Sequence, residues 1–316
     1  MPKPIIINKT IKNFNRRIDV DGDKSLSIRF ALLASQALGK SRGYNLLKSE
    51  DVISTINCLK KLGVDINWNE KNNFCEINGN GLNSFVYRNN LTLNANNSGT
   101  CARLLASLLI KSSKKIKLIG DKSLSKRDMK RIIDPLSRFG ATFYPKNKNT
   151  LPVYLKGSDY LRPINYVELK GSSQCKSSVM LAALLAPGET EIKCKPSRNH
   201  TELLFKFLKI PIKIKKIKNF EIIKVKGRHS FKSFNYIIPA DISSSAFFIV
   251  LTLLSKNSKI ILKKVGVNKS RTGIIKILNM MGSKITFKNK KKYNGEDIAD
   301  IHVKSSESLK SINCPA

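Results

Sequence analysis

The chain has no run of about 18 apolar residues, the length a membrane-spanning helix needs, so no span is expected. Its first residues, Met1-Pro2-Lys3-Pro4-Ile5-Ile6-Ile7, lack the basic region and apolar core of a secretory signal, which predicts a cytoplasmic protein. Histidine is scarce: His200, His229 and His302 are the three, and none has the His-Glu-x-x-His spacing. Six cysteines (Cys58, Cys75, Cys101, Cys175, Cys194 and Cys314) form no Cys-x-x-Cys pair. A metal site is therefore not expected, and in a cytosolic chain the thiols should be reduced. There is a single tryptophan, and aromatic residues make up 7% of the chain.

Acidic residues are few, 22 against 58 basic ones, for a net charge of +36. Such a balance suggests nucleic acid. However, Arg accounts for 13 of the basic residues and Lys for the rest, and Asn and Ile are also abundant, as codon bias in an AT-rich genome would produce. The lysines are spread through edges and loops, as at Lys213-Ile214-Lys215-Lys216 and Lys288 to Lys292, rather than gathered with aromatics in one patch. The expectation is a solvated cationic surface, able to steer small anions, with no specific nucleic-acid partner.

What is present is a repeat. Four Ser/Thr clusters each open a short apolar helix pattern: Lys24 to Arg29, Asn97 to Thr100, Ser172 to Lys176 and Ser243 to Ser245. Ser27 to Thr100, Thr100 to Ser173 and Ser173 to Ser244 are steps of 73, 73 and 71 residues. A helix N-terminus carries free N–H groups and partial positive charge, so several aimed at one place would hold phosphates and carboxylates. A second feature has the same period. A helix end, a Gly C-cap and a strand start recur at Leu59 to Ile66, Ile133 to Phe143 and Ile277 to Ile285. Phe205 to Ile212 holds the same place with Ile210 instead of Gly. Hairpin-like strands follow at Phe74 to Ile77, Val153 to Lys156, Glu221 to Val225 and Ile298 to Val303. Each unit reads as strand, capped helix, strand, second helix and two strands, a small α/β (α+β) module of about 70 residues.

The chemistry-bearing residues lie at the helix starts. Asp21-Gly22-Asp23-Lys24-Ser25-Leu26-Ser27-Ile28-Arg29 offers a Lys, hydroxyls and an Arg at a strand-to-helix junction. Lys24 and Arg29, five apart, are expected to flank one anion. Further motifs follow in order: Asn97-Ser98-Gly99-Thr100 with Arg103, Gly120-Asp121-Lys122-Ser123-Leu124 with Arg127 and Met129, and Ser172-Ser173-Gln174-Cys175-Lys176-Ser177. Ser197-Arg198-Asn199-His200-Thr201-Glu202, Pro239 to Ser245 and Asn268 to Gly273 complete the series. Together they resemble the 5-enolpyruvylshikimate-3-phosphate synthase family, and the resemblance runs the length of the chain.

The resemblance implies two domains of enolpyruvyl-transferase-like repeats. The expected organisation is residues 1-22 as a strand belonging to the second domain, 23-239 as a first domain of three repeats, and 240-316 as the start of the second, with one repeat. It implies transfer of enolpyruvyl from phosphoenolpyruvate to the 5-hydroxyl of shikimate 3-phosphate, with release of phosphate. No cofactor is implied, nor a metal or membrane partner, and the protein should be a monomer. By motif, Lys24, Ser25, Arg29, Ser172, Ser173, Gln174, Ser197 and Arg198 would bind shikimate 3-phosphate. Lys24, Asn97, Gly99, Arg127 and Gln174 would line the phosphoenolpyruvate site, and Lys24 would be the catalytic residue. Both substrates are anions, so cationic side chains offset their repulsion, and adding an alcohol to an enol carbon needs a proton mediator.

Some positions depart from the pattern. Asp21 stands where the family has Pro, Ile28 where His is usual, Ala240 for Gly and Asp297 for Pro. Asp128 places a carboxylate beside Arg127, which predicts weaker phosphoenolpyruvate binding. The family's later Asp base and Lys-Glu-Ser motif are not found, so the second domain is expected to be incomplete and the chain inactive alone. Two other readings stay open. A UDP-sugar enolpyruvyl transferase of wall synthesis would lack the Ser-Ser-Gln triad and use a loop Cys. A basic nucleic-acid-binding protein would show steeply salt-dependent binding to nucleic acid.

Overall fold

The first helix of each repeat starts on a side-chain hydrogen-bonding cap, and these caps mark the repeats of this computed structural model, which describes residues 6, 8, 11–69 and 73–313. The first stretch holds β1 (Asn15–Ile18), α1 (Lys24–Ala34), β2 (Leu38–Tyr44), α2 (Glu50–Lys61), β3 (Asp65–Asn69) and β4 (Phe74–Asn80). The second holds β5 (Leu91–Asn94), α3 (Gly99–Leu108), β6 (Ile116–Ile119), α4 (Lys130–Phe139), β7 (Thr142–Tyr144) and β8 (Val153–Lys156). The third holds β9 (Asn165–Glu168), α5 (Ser173–Ala183), β10 (Glu189–Cys194), α6 (His200–Phe207), β11 (Ile212–Ile217) and β12 (Phe220–Lys226). The fourth holds β13 (Asn235–Ile237), α7 (Ile242–Leu254), β14 (Lys259–Gly266), α8 (Gly273–Met280), β15 (Ile285–Tyr293) and β16 (Glu296–Lys304). Strand, helix, strand, helix and two strands thus occur four times.

Four four-stranded sheets result among the described residues, ordered β5-β6-β8-β7, β9-β10-β12-β11, β13-β2-β4-β3 and β1-β14-β16-β15. In each, the first pair is parallel and the other two pairs are antiparallel. In the middle two repeats the first strand pairs within its own repeat. In the outer two the first strands are exchanged: β1 pairs with β14, and β13 pairs with β2. The chain accordingly divides into Gly22–Ile238 and a smaller unit of Met1–Asp21 with Pro239–Ala316.

The caps refine the sequence reading. Ser98 and Ser172 cap α3 and α5, their hydroxyls accepting from the Cys101 and Cys175 amides. At α1 and α7 the cap is instead an aspartate just ahead of the serines. Asp23 accepts from Leu26 N at 2.9 Å and Asp241 from Ser243 N at 2.8 Å, so those serines lie inside the first turn. The second helices end alike. Val64, Ala141, Ile210 and Ser283 each donate a backbone bond five residues back, to Leu59, Leu136, Phe205 and Leu278, as in a Schellman motif. The preceding residue takes positive φ: Gly63, Gly140 and Gly282 in three cases, Lys209 in the fourth. The residue in glycine's place is therefore Lys209, one before the expected Ile210, and a lysine there accepts the strain of a left-handed backbone.

In the larger unit, α1, α3 and α5 are the innermost helices. Leu26 to Ala34 of α1 and Cys175 to Ala183 of α5 are buried throughout, as is α3 except for Arg103. Helices apolar on every side can only be interior ones. Small residues let α3 and α5 approach closely, with Ser107 Oγ 2.6 Å from Ser178 Oγ. The three sheets of this unit cover the bundle. In the smaller unit, α7 packs on β14 and β16 through Ile249 and Leu253 but exposes Phe247, Val250, Leu251 and Leu254 along its other side.

Candidate functional site

The starts of α1, α3, α5 and α6 meet at one end of the helix bundle of Gly22–Ile238, and two predicted site residues, Arg29 and Gln174, make most of the contacts that join them. Arg29, buried in the second turn of α1, donates from Nε to Thr201 Oγ1 (2.8 Å) at the start of α6. It also donates from Nη2 to Ser177 Oγ (2.9 Å) in α5, and from Nη1 to its own helix's Ser25 carbonyl (3.1 Å). Thr201 in turn donates to Ser177 at 2.7 Å. Gln174, in the first turn of α5, donates to Thr100 Oγ1 (3.0 Å) and accepts from Arg103 Nη1 (2.5 Å), both in α3. The N-terminal two turns of four helices are thus tied by side-chain hydrogen bonds.

Lys24 is the first residue of α1, half-exposed, with Nζ 3.6 Å from the Asp51 carboxylate. Five residues along a helix turn about 140° around its axis, so Lys24 and Arg29 address different neighbours instead of forming one fork. Ser25, Ser172, Ser173 and Gln174 are half-buried at the same end. The Ser172 amide donates to Glu168 Oε2 (2.8 Å) and the Lys170 amide to Oε1 (3.1 Å), so Glu168 fixes the loop that leads into α5.

The Ser197 hydroxyl is buried, and no group among the described residues hydrogen-bonds to it. A buried orphan hydroxyl costs about 1–3 kcal/mol, and it lies three residues before α6, beside the exposed Arg198.

Around α3, Arg127 donates from Nη2 to Asn97 Oδ1 (2.6 Å) and Ser123 Oγ (3.2 Å), bringing together two residues that the motifs assign to one substrate. A Cβ on Gly99 would come within 3.3 Å of Arg103 Nη1 and 3.6 Å of Arg127 Nη1. The missing side chain thus leaves room for two guanidinium groups at the start of α3. Arg103 received no role from the sequence, although it lies in the Asn97 motif. Burial lowers its pKa, as do nearby Arg131 and Arg127, with Cys175 and Asp128 opposing. Asp128 turns Oδ1 to the Lys130 amide (2.8 Å) at the start of α4 and its carbonyl to Arg103 Nη2 (3.0 Å). The helix start shares the negative charge that the sequence sets beside Arg127.

The site is cationic and rich in hydroxyl donors. It can hold a phosphate or carboxylate through charge-assisted bonds from Lys and Arg and through helix-start N–H groups. Five cysteines, Cys58, Cys75, Cys101, Cys175 and Cys194, are free and buried, while Cys314 lies outside the described residues. Burial pushes the Cys75 thiol up to about 12, which makes it a poor nucleophile. Among the described residues no helix is long and apolar enough to cross a membrane.

Comparison with known proteins gives this arrangement a family. The family model described as EPSP synthase (3-phosphoshikimate 1-carboxyvinyltransferase) matches residues 8–315. A 3-phosphoshikimate 1-carboxyvinyltransferase from Petrotoga mobilis is 38% identical over 304 residues, covering 95% of this chain and 69% of the relative. One from Thermoanaerobacter sp. (strain X514) is 41% identical over 298 residues, covering 93% of this chain and 68% of that protein. The solved structure of EPSP synthase from Acinetobacter baumannii superposes with a TM-score of 0.86 at 36% identity, over 96% of this chain and 67% of its own. The chain therefore spans somewhat more than two thirds of the length of these two sequence relatives, and on the whole-length family match and these identities it belongs to the EPSP synthase family.

Proposed function

We propose that this protein transfers the enolpyruvyl group of phosphoenolpyruvate to the 5-hydroxyl of shikimate 3-phosphate and releases phosphate, a step in aromatic amino-acid biosynthesis. The observation that carries this reading is the meeting of four helix starts, each bearing a family motif and all tied by motif residues, in a chain that belongs to the family. Shikimate 3-phosphate is held by Lys24, Ser25 and Arg29 from α1, by Ser172, Ser173 and Gln174 from α5, and by Ser197 and Arg198 ahead of α6. The orphan Ser197 hydroxyl gains an acceptor when a phosphate arrives. Phosphoenolpyruvate lies toward α3, against Asn97, Gly99 and Arg127, with Lys24 and Gln174 reaching both substrates.

Lys24 is the proton mediator. Addition of the alcohol to the enol carbon removes a proton from oxygen and delivers one to carbon, and an ammonium between two anions can supply that relay. Arg29 serves from α1 through a guanidinium already oriented by Ser177 and Thr201. The protein acts as a cytoplasmic monomer and needs no cofactor for this chemistry. The Ser-Ser-Gln start of α5 favours the shikimate substrate over a UDP-sugar.

Calorimetric titration with shikimate 3-phosphate tests the reading. One site per chain is expected, with affinity at least about tenfold lower in Lys24→Met, since a charge-assisted contact is lost. Binding that ignores the substitution, or the same heat from any polyanion, would refute it.

A further inference from the structure

A lysine with no exposed surface lies two residues beyond Gln174. Lys176 is 0% exposed, and its Nζ stands 2.6 Å from Glu202 Oε1 in the first turn of α6, itself 2% exposed. Glu221 Oε2 of β12 is 3.9 Å away. The contact is an ion pair and not a directed hydrogen bond: neither the ammonium nor either Glu202 oxygen makes a well-directed hydrogen bond to any described residue, each other included. The family reading uses neither Lys176 nor Glu202.

A pair of this kind is a poor source of stability. Desolvating two charges costs several kcal/mol each, and apolar replacements of similar volume are often neutral or better. Its value lies in geometry. Lys176 and Ser177, adjacent in α5, reach Glu202 and Thr201, adjacent in α6, so two rungs join the first turns of those helices. Just ahead of the rungs lie Ser172-Ser173-Gln174 on one helix start and Ser197-Arg198 before the other. The apolar contacts between helices tolerate small slides, whereas a slide that parts two fully buried charges leaves each of them uncompensated. An anion gripped from two helix starts needs them within fractions of an ångström of the right spacing.

We propose that the buried Lys176–Glu202 ion pair is a positioning device that fixes the starts of α5 and α6 at the spacing of a phosphate group and so sets preference for a phosphorylated ring acid. This inference rests on the proposed substrate site. Lys176 and Glu202 do not touch the substrate; they act through Ser172, Ser173, Ser197 and Arg198.

The test compares shikimate 3-phosphate with shikimate by calorimetric titration of the whole chain and two variants, Glu202→Gln and the double variant Lys176→Met/Glu202→Leu. The ratio of the two affinities is the readout, because it does not depend on the fraction of chain folded. It should fall by about tenfold or more in both variants, as misplaced second-layer groups commonly cost a site. The double variant should melt close to the parent. A ratio within about twofold of the parent in either variant would overturn the inference, as would failure of both to fold, which would make the pair a folding element alone. If the unaltered chain itself shows no preference for the phosphorylated acid, the site reading fails first, and the two failures are thereby distinguished.

Discussion

Replacing Arg29 by lysine keeps the charge and removes the fork. The guanidinium makes three hydrogen bonds, at 2.8, 2.9 and 3.1 Å, to Thr201, Ser177 and the Ser25 carbonyl. A lysine ammonium is a point charge that can satisfy one of these directions well. Two charge-assisted bonds are then lost, each worth about 1.5–3 kcal/mol when partners are left stranded. Ser177 and Thr201 are not stranded, because they also bond to each other at 2.7 Å, so about 1 kcal/mol per bond is the better figure. The sum, about 2 kcal/mol, should lower the melting temperature of the Gly22–Ile238 unit by about 4–8 °C. Scanning calorimetry reads this, and titration with shikimate 3-phosphate should show weakened binding in the same variant. An Arg29→Lys chain that melts within a degree of the parent and binds equally well would show that the bridge between the starts of α1, α5 and α6 does not hold the site together.

Ser197→Ala should leave the melting temperature unchanged or raise it, since it removes an orphaned hydroxyl, while weakening shikimate 3-phosphate binding by about tenfold; loss of stability with full affinity would contradict that role. Gly227→Ala would drive a methyl into the Ala186 and Ala183 carbonyl oxygens, at the C-terminal end of α5. The backbone must move, so a cost of about 1–3 kcal/mol or more is expected in denaturant melts. In the smaller unit, burial, with nearby Lys288, holds the His302 pKa below 6.5, and Asp300 opposes. The unfolded chain then binds the proton more readily, so that unit should lose stability as pH falls below 6.5, and His302→Asn should flatten the slope between about pH 7 and 5.

Much of the fold is legible in the chain because local chemistry dictates it. Gly63, Gly140 and Gly282 end helices where the backbone must turn left-handed, and Ser98 and Ser172 cap the helices they precede. The limits are equally physical. Asp23 and Asp241 outcompete the serines that follow them as caps because the carboxylate reaches an amide two or three residues on, which a motif centred on serine hides. Lys209 takes glycine's place because the two Schellman bonds outweigh its strain, and nothing in its identity announces this. The exchange of β1 and β13 between sheets is a long-range pairing with no local signature. At the site, residue types were readable but directions were not. Arg29 points inward to Ser177 and Thr201, Arg103 grips Gln174, and Lys176 vanishes into an ion pair. Each of these depends on a partner 20 or more residues away.

The central claim is that one anion site lies across the starts of α1, α5 and α6. Hydrogen exchange with and without shikimate 3-phosphate tests it most directly, because the helix-start amides are the proposed donors. The account predicts new protection at residues 24–29, 172–177 and 197–202, with little change in the sheets. Protection confined to the lysine-rich strands β11 and β15, or none at any helix start at saturating ligand, would contradict it.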